Sequence, residues 1–266
     1  MAKRTPNRRG FTLLELLAAM TIFLIICAAM FGLLQLSQQK YSSESQMSGA
    51  FQEARLGIDQ VVRDINISGY PSRNMFSKPF DSASYAVGPM AWNPGYPNAD
   101  CQIGACTTPG DYDVIVETDI GDGNGVSWIR YRLPASETTL YRGVVPKTAG
   151  ADPIAATSAA GVMVPLVSNV VNNPAALPAG VQAQLIAQYP ALFPAGAPIP
   201  LLQYSCETPT GSQPCTSGAA TGYNAPRFVS DVDVTLIVMT QTPDMQTQQL
   251  KVMELSGRGH RSNPNN

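Results

Sequence analysis

Phe11 to Leu34 is an apolar run of 24 residues broken by one carboxylate, Glu15. A helix needs about 20 residues to cross the hydrocarbon core of a bilayer, so this run is long enough to span. Beyond it the pattern becomes one-sided. Met47, Phe51, Ala54, Ile58, Val61 and Ile65 recur at steps of three and four, which sets them on one helix face. Gln52, Glu53, Arg55, Asp59, Gln60, Arg63 and Asp64 fall on the other faces and are predicted to be solvated. No proline lies between Phe11 and Tyr70, so one helix of about 55 residues and 80 Å is allowed. Ser68-Gly69-Tyr70-Pro71 is predicted to end it.

Downstream the period changes to two. Residues 111–119 and 126–133 read as strands flanking the turn signal Ile120-Gly121-Asp122-Gly123-Asn124-Gly125, and residues 138–145 as a third. Residues 225–241 make a fourth, with Val232, Val234, Leu236 and Val238 on one face and Asp231, Asp233, Thr235 and Ile237 on the other. Residues 249–255 make a fifth. Such a sheet needs a helix against its apolar face, and the outward half of the first helix is the available cover. The expected fold is α+β: a long N-terminal helix packed on one antiparallel sheet. Residues 150–200, rich in Ala, Pro and Gly, read as a partly mobile insertion with a short helix at 181–188. Residues 257–266 read as a polar tail.

Charge then orients the chain. Formal net charge is -2, yet Lys3, Arg4, Arg8 and Arg9 all precede the apolar run and no basic residue follows until Lys40. The positive-inside rule keeps such an N-terminus cytoplasmic and carries the body out. Without those four, 13 basic residues face 19 acidic ones, so the body is mildly acidic and has no basic stripe for a nucleic-acid groove. A plain signal anchor or a cleaved signal peptide would fit the apolar run, and Leu24-Ile25-Ile26-Cys27 hints at a lipoprotein site, although bulky Ile26 does not suit one. None of these explains Glu15, because a charge at the bilayer centre costs about 2.5 to 3.5 kcal/mol or more.

Arg9-Gly10-Phe11-Thr12-Leu13-Leu14-Glu15 resembles the class III signal of type IV pilins and type II secretion pseudopilins, with its basic leader, glycine, phenylalanine and glutamate in register. The resemblance implies a leader over 1–10 cut after Gly10 by a prepilin peptidase, methylation at Phe11, and a role for Glu15 in processing or assembly. It implies a membrane half of the helix at 11–35, an exported half at 36–69, and a pilin-like body over 70–256. It also implies partners: other minor pilins or pseudopilins, the major subunit, and the inner-membrane assembly platform. The expected location is the inner membrane, with the body periplasmic, and then a filament tip.

A buried carboxylate wants a counter-charge, and the new amino group of Phe11 on a neighbouring subunit can supply one. Major pilins commonly carry proline at the position of Gly32, and this departure fits the minor class. Arg55, Asp59, Arg63, Asp64, Ile65, Ser68, Gly69 and Tyr70 resemble the run that closes the first helix of PilW-group minor pilins and J-type pseudopilins. There Arg55 with Asp59, and Asp59 with Arg63, are spaced as weak helical ion pairs. A tip adhesin that holds a surface or exported cargo is a second reading, and an anchored periplasmic protein unrelated to filaments is a third.

Cysteines and acids complete the inventory. Cys101, Cys106, Cys206 and Cys215 lie in the exported body, where disulfides are the default, and four cysteines allow three pairings. The short loops favour Cys101 with Cys106 and Cys206 with Cys215, while the spacings do not suit zinc. Cys27 is apolar filler. Asp119, Asp122 and Asn124 offer clustered oxygens for calcium, though a hairpin turn explains them as well. His260, the sole histidine, falls in the polar tail, so no enzyme and no resident cofactor are expected.

Overall fold

A computed structural model describes residues 12–71, 110–215, 228–244 and 247–262. Helix α1 runs from Leu13 to Asn66 without a break, a rod of about 80 Å at 1.5 Å per residue. It stops where the glycine signal places the stop. The Ile67 N–H donates back to the Arg63 carbonyl, and Gly69 takes the left-handed φ of 82°. The chain is then handed to the first strand, as Gly69 N–H donates to the Glu117 carbonyl at 2.8 Å and Asp119 N–H to that of Tyr70 at 2.8 Å.

Among the described residues, eight strands form two antiparallel sheets rather than the one expected. β1 (Asp113–Asp119), β2 (Val126–Arg132), β3 (Leu140–Pro146) and β4 (Met163–Val167) form the first, in that spatial order. β5 (Leu202–Thr208), β6 (Gly211–Pro214), β7 (Val229–Met239) and β8 (Val252–His260) form the second, in the order β6-β5-β7-β8. The β1–β2 turn uses Gly121, Gly123 and Gly125 at positive φ, which side chains with a Cβ rarely adopt. The outward half of α1 packs on both sheets. Ala54, Ile58, Val61 and Ile65 are buried with Val114, Val116, Ile129 and Tyr131 of the first sheet and Val232, Val234 and Leu236 of the second.

Three further expectations are corrected. Residues 150–200 hold more than the short helix expected at 181–188: beside α3 (Ala179–Gln188), which covers it, they contain α2 (Pro153–Thr157) and β4. Val171, Leu177, Leu185 and Phe193 from this region bury Ile237 and Met239, so the far end of β7 is covered on both faces. The polar tail is not a tail at 257–260, because β8 continues through His260 and Arg261 is buried. Asp64, assigned to the solvated face, is 1 % exposed.

Glycine sets how closely α1 approaches. A Cβ on Gly259 would stand 2.7 Å from Cγ2 and 2.8 Å from Cβ of Ile65, and one on Gly57 would overlap the Val167 side chain. Gly259→Val is therefore expected to lower stability by about 1 to 3 kcal/mol through overpacking. Gly49, with nothing within 4 Å, is the control: Gly49→Ala should leave stability unchanged or raise it by up to about 1 kcal/mol. Denaturant titration followed by tryptophan fluorescence reads both.

Candidate functional site: the capped start of the apolar rod

Helix starts leave backbone N–H groups without partners, and here Thr12 and Glu15 satisfy two of them reciprocally. Glu15 N–H donates to Thr12 Oγ1 at 3.3 Å, while Thr12 N–H donates to Glu15 Oε2 at 3.0 Å. The Thr12 hydroxyl donates to the same oxygen at 3.0 Å. Thr12 sits in extended conformation, as an N-cap residue should. Glu15 thus has partners within its own chain before any neighbour arrives. The sequence puts Thr12 in the signal's register, but its capping role comes from the structure. Gly10 and Phe11 lie outside the described residues.

From this cap the rod is bare. Leu13 and Leu14 are each 78 % exposed and Phe31 is 74 % exposed, and among the described residues nothing covers the most apolar stretch of the helix. Monomeric soluble proteins rarely show apolar patches beyond a few hundred Å². This surface needs lipid or other helices around it, so the same residues that form the helix also define a docking surface.

The body's polar residues are mostly committed internally. Asp64 Oδ2 accepts from the Tyr131 hydroxyl at 2.6 Å and from Arg142 Nη2 at 2.7 Å, and Oδ1 accepts from Gln60 at 2.9 Å. Burial, aided by the neighbouring Asp64 charge, pushes the Tyr131 hydroxyl up from its ordinary value. Arg63 donates to Gln60 at 2.6 Å, and the Arg55–Asp59 and Asp59–Arg63 ion pairs do not form among the described residues.

The remaining candidates resolve as follows. Cys206 and Cys215 form a disulfide that staples the β5–β6 hairpin, while Cys101 and Cys106 lie outside the described residues. Asp119 Oδ1 accepts from Gly121 N–H at 2.8 Å, and Asp122 accepts from the backbone and side-chain N–H groups of Asn124 at 2.9 Å each. The turn uses these oxygens itself. No group of three or more His, Cys, Asp and Glu side chains is placed to hold a metal among the described residues.

His260 belongs to a polar cluster missed in the sequence. Its Nδ1 lies 3.0 Å from Asp231 Oδ1, and Ser230 and Arg258 also donate to Asp231. Burial works to raise the Asp231 carboxyl, but the bonds from Arg258, Ser230 and His260 outweigh it and hold the group below its ordinary value. Ser230, Asp231 and His260 line a cleft of about 320 Å³ with Glu207, Thr208 and Arg261. Ser230 is aimed at the carboxylate rather than at the imidazole, so nucleophile and base are not joined there.

One family model matches: the prokaryotic N-terminal methylation motif, over residues 5–31. The matched segment contains the cap and most of the bare rod. It supports a type IV pilin-like protein of the pilin or pseudopilin kind, handled by a prepilin peptidase and joined to other pilus subunits. The signal and the long apolar helix fit an inner-membrane anchor. Comparison with curated proteins and with solved structures gives no match.

Proposed function

We propose that this chain is a minor pilin or pseudopilin that takes part in starting or capping a type IV pilus or secretion pseudopilus. The observation that supports this reading is the bare apolar rod opening on a capped Glu15 within the methylation motif. The rod stores the subunit in the membrane until neighbouring helices replace lipid around it. Cutting after Gly10 leaves Thr12 and its N–H in the mature chain, so the cap survives processing. The new amine at Phe11 then offers a positive charge that Glu15 of an adjacent subunit neutralises in an apolar setting. A large body suits the tip, where no subunit stacks above it.

Mass spectrometry of the protein from its native envelope tests the reading. The expected mature chain begins at Phe11 with a methylated amine; a chain that retains residues 1–10 contradicts it. Glu15→Leu is expected to remove the subunit from sheared filaments while the body stays folded. Normal incorporation of that variant would detach Glu15 from assembly.

A further inference from the structure

Each sheet has two edges, and three of the four are protected. The β1 edge receives Gly69 and Tyr70 from the end of α1. β4 carries Pro165 and pairs through a bulge, and β6 has four residues and ends at Pro214. β8 is nine residues long and contains neither proline nor bulge. Arg261 N–H donates to the Ser230 carbonyl and Thr240 N–H to that of Lys251, which fixes the register parity. The odd residues of β8 therefore bond to β7, and Val252, Glu254, Ser256, Arg258 and His260 turn their backbone groups outward. Only His260 N–H finds a described partner on that side, Asn66 Oδ1 at 2.8 Å. Glu254, Ser256 and Arg258 are exposed.

Natural proteins seldom leave such an edge unguarded, because it is a template for strand addition. We propose that the β8 edge is a docking site for an extended segment of another protein, antiparallel to β8, with an acidic residue opposite Arg258 and a basic one opposite Glu254. Glu254 makes no ion pair among the described residues, and Arg258, held by Asp231 at 3.2 Å, is still 56 % exposed. Opposite charges directly across an antiparallel pair are favourable, and like charges are not. The flank of α1 that carries Asn66 also carries Arg55 and Asp59 by helical period, two further exposed charges that make no ion pair among the described residues.

A second copy does not fit. β8 runs alongside α1, with Lys251 bonded to Ser43 at one end and His260 to Asn66 at the other. A twofold that keeps both rods in one membrane runs along β8 and sets Glu254 beside Glu254 and Arg258 beside Arg258. This choice of partner rests on the membrane anchoring proposed above, whereas the open edge does not.

The full chain in detergent can be titrated with a fluorescent peptide of the sequence of residues 252–260. Set antiparallel with serine opposite Ser256, that peptide places its glutamate on Arg258 and its arginine on Glu254. Binding is expected, weakened about tenfold or more when the peptide is N-methylated at the positions equivalent to 254, 256 and 258, and unchanged by N-methylation at 255 and 257. Exchanging glutamate and arginine in the peptide should weaken binding about three- to tenfold. Glu254→Lys in the chain, a fold-neutral change at an exposed residue, should shrink that preference. Absence of binding, indifference to which amides are methylated, or indifference to the charge exchange overturns the proposal. Detection of the Phe11 terminus is a separate measurement, so failure here leaves the filament reading standing.

Discussion

Asp64→Ala is expected to destabilise the body by about 3 to 5 kcal/mol, the range seen when one partner of a buried ion pair is removed. Asp64 is the hinge pin between α1 and the first sheet: its carboxylate receives Tyr131, Arg142 and Gln60 within 3.1 Å. The truncation leaves the Arg142 guanidinium, 21 % exposed at its side chain, without its carboxylate and the Tyr131 hydroxyl without its acceptor, while Arg142 Nε still donates to the Tyr131 oxygen at 3.0 Å. Asp64→Ala with Arg142→Met should recover part of the loss, because the uncompensated charge disappears along with the pair while the buried Tyr131 hydroxyl loses both partners. Denaturant titration of both variants, read by tryptophan fluorescence, checks this. Equal losses in the single and double variants would mean that packing, rather than charge, carries the effect.

Lys147→Met is expected to cost a similar 3 to 5 kcal/mol at neutral pH. Lys147 Nζ lies 3.1 Å from Glu117 Oε2, with side-chain exposures of 0 % and 1 %, and Trp128 Nε1–H donates to the other carboxylate oxygen at 2.9 Å. Removing the ammonium leaves a carboxylate charge in a site shielded from solvent. Adding Glu117→Gln keeps an oxygen for Trp128 and removes the charge, so the double variant should be more stable than Lys147→Met alone. Trp128 also makes this pair visible, since disturbing its hydrogen bond should shift its emission before global unfolding.

The apolar run and the processing signal were legible because both are linear: residues in fixed register, with no tertiary partner needed. The outward half of α1 was legible for a similar reason, as Ala54, Ile58, Val61 and Ile65 follow the helical period and all are buried. Four strands also fall where alternation and turn residues place them, and β8 overlaps its expected segment only at 252–255. β4, β5 and β6 were missed, and so was the division into two sheets, because burial pattern alone does not say which edges meet. Asp64 was misassigned since period marks a face and not a partner, and Tyr131 and Arg142 are remote in sequence. Val171, Leu177 and Phe193 show no period at all, so a region that supplies a second small core looked like a loop. The glycines of β8 resemble a flexible tail until Ile58 and Ile65 are seen resting against them.

One uninterrupted rod serves as both anchor and central core element. A pull on the anchor is borne in shear along two sheets at once, through the glycine contacts and the Asp64 bridge, instead of peeling away one hairpin at a time. By the same geometry, a water-soluble fragment severed after Ile65 would lose the ridge around which both sheets fold, whereas one starting near Ser43 keeps it whole.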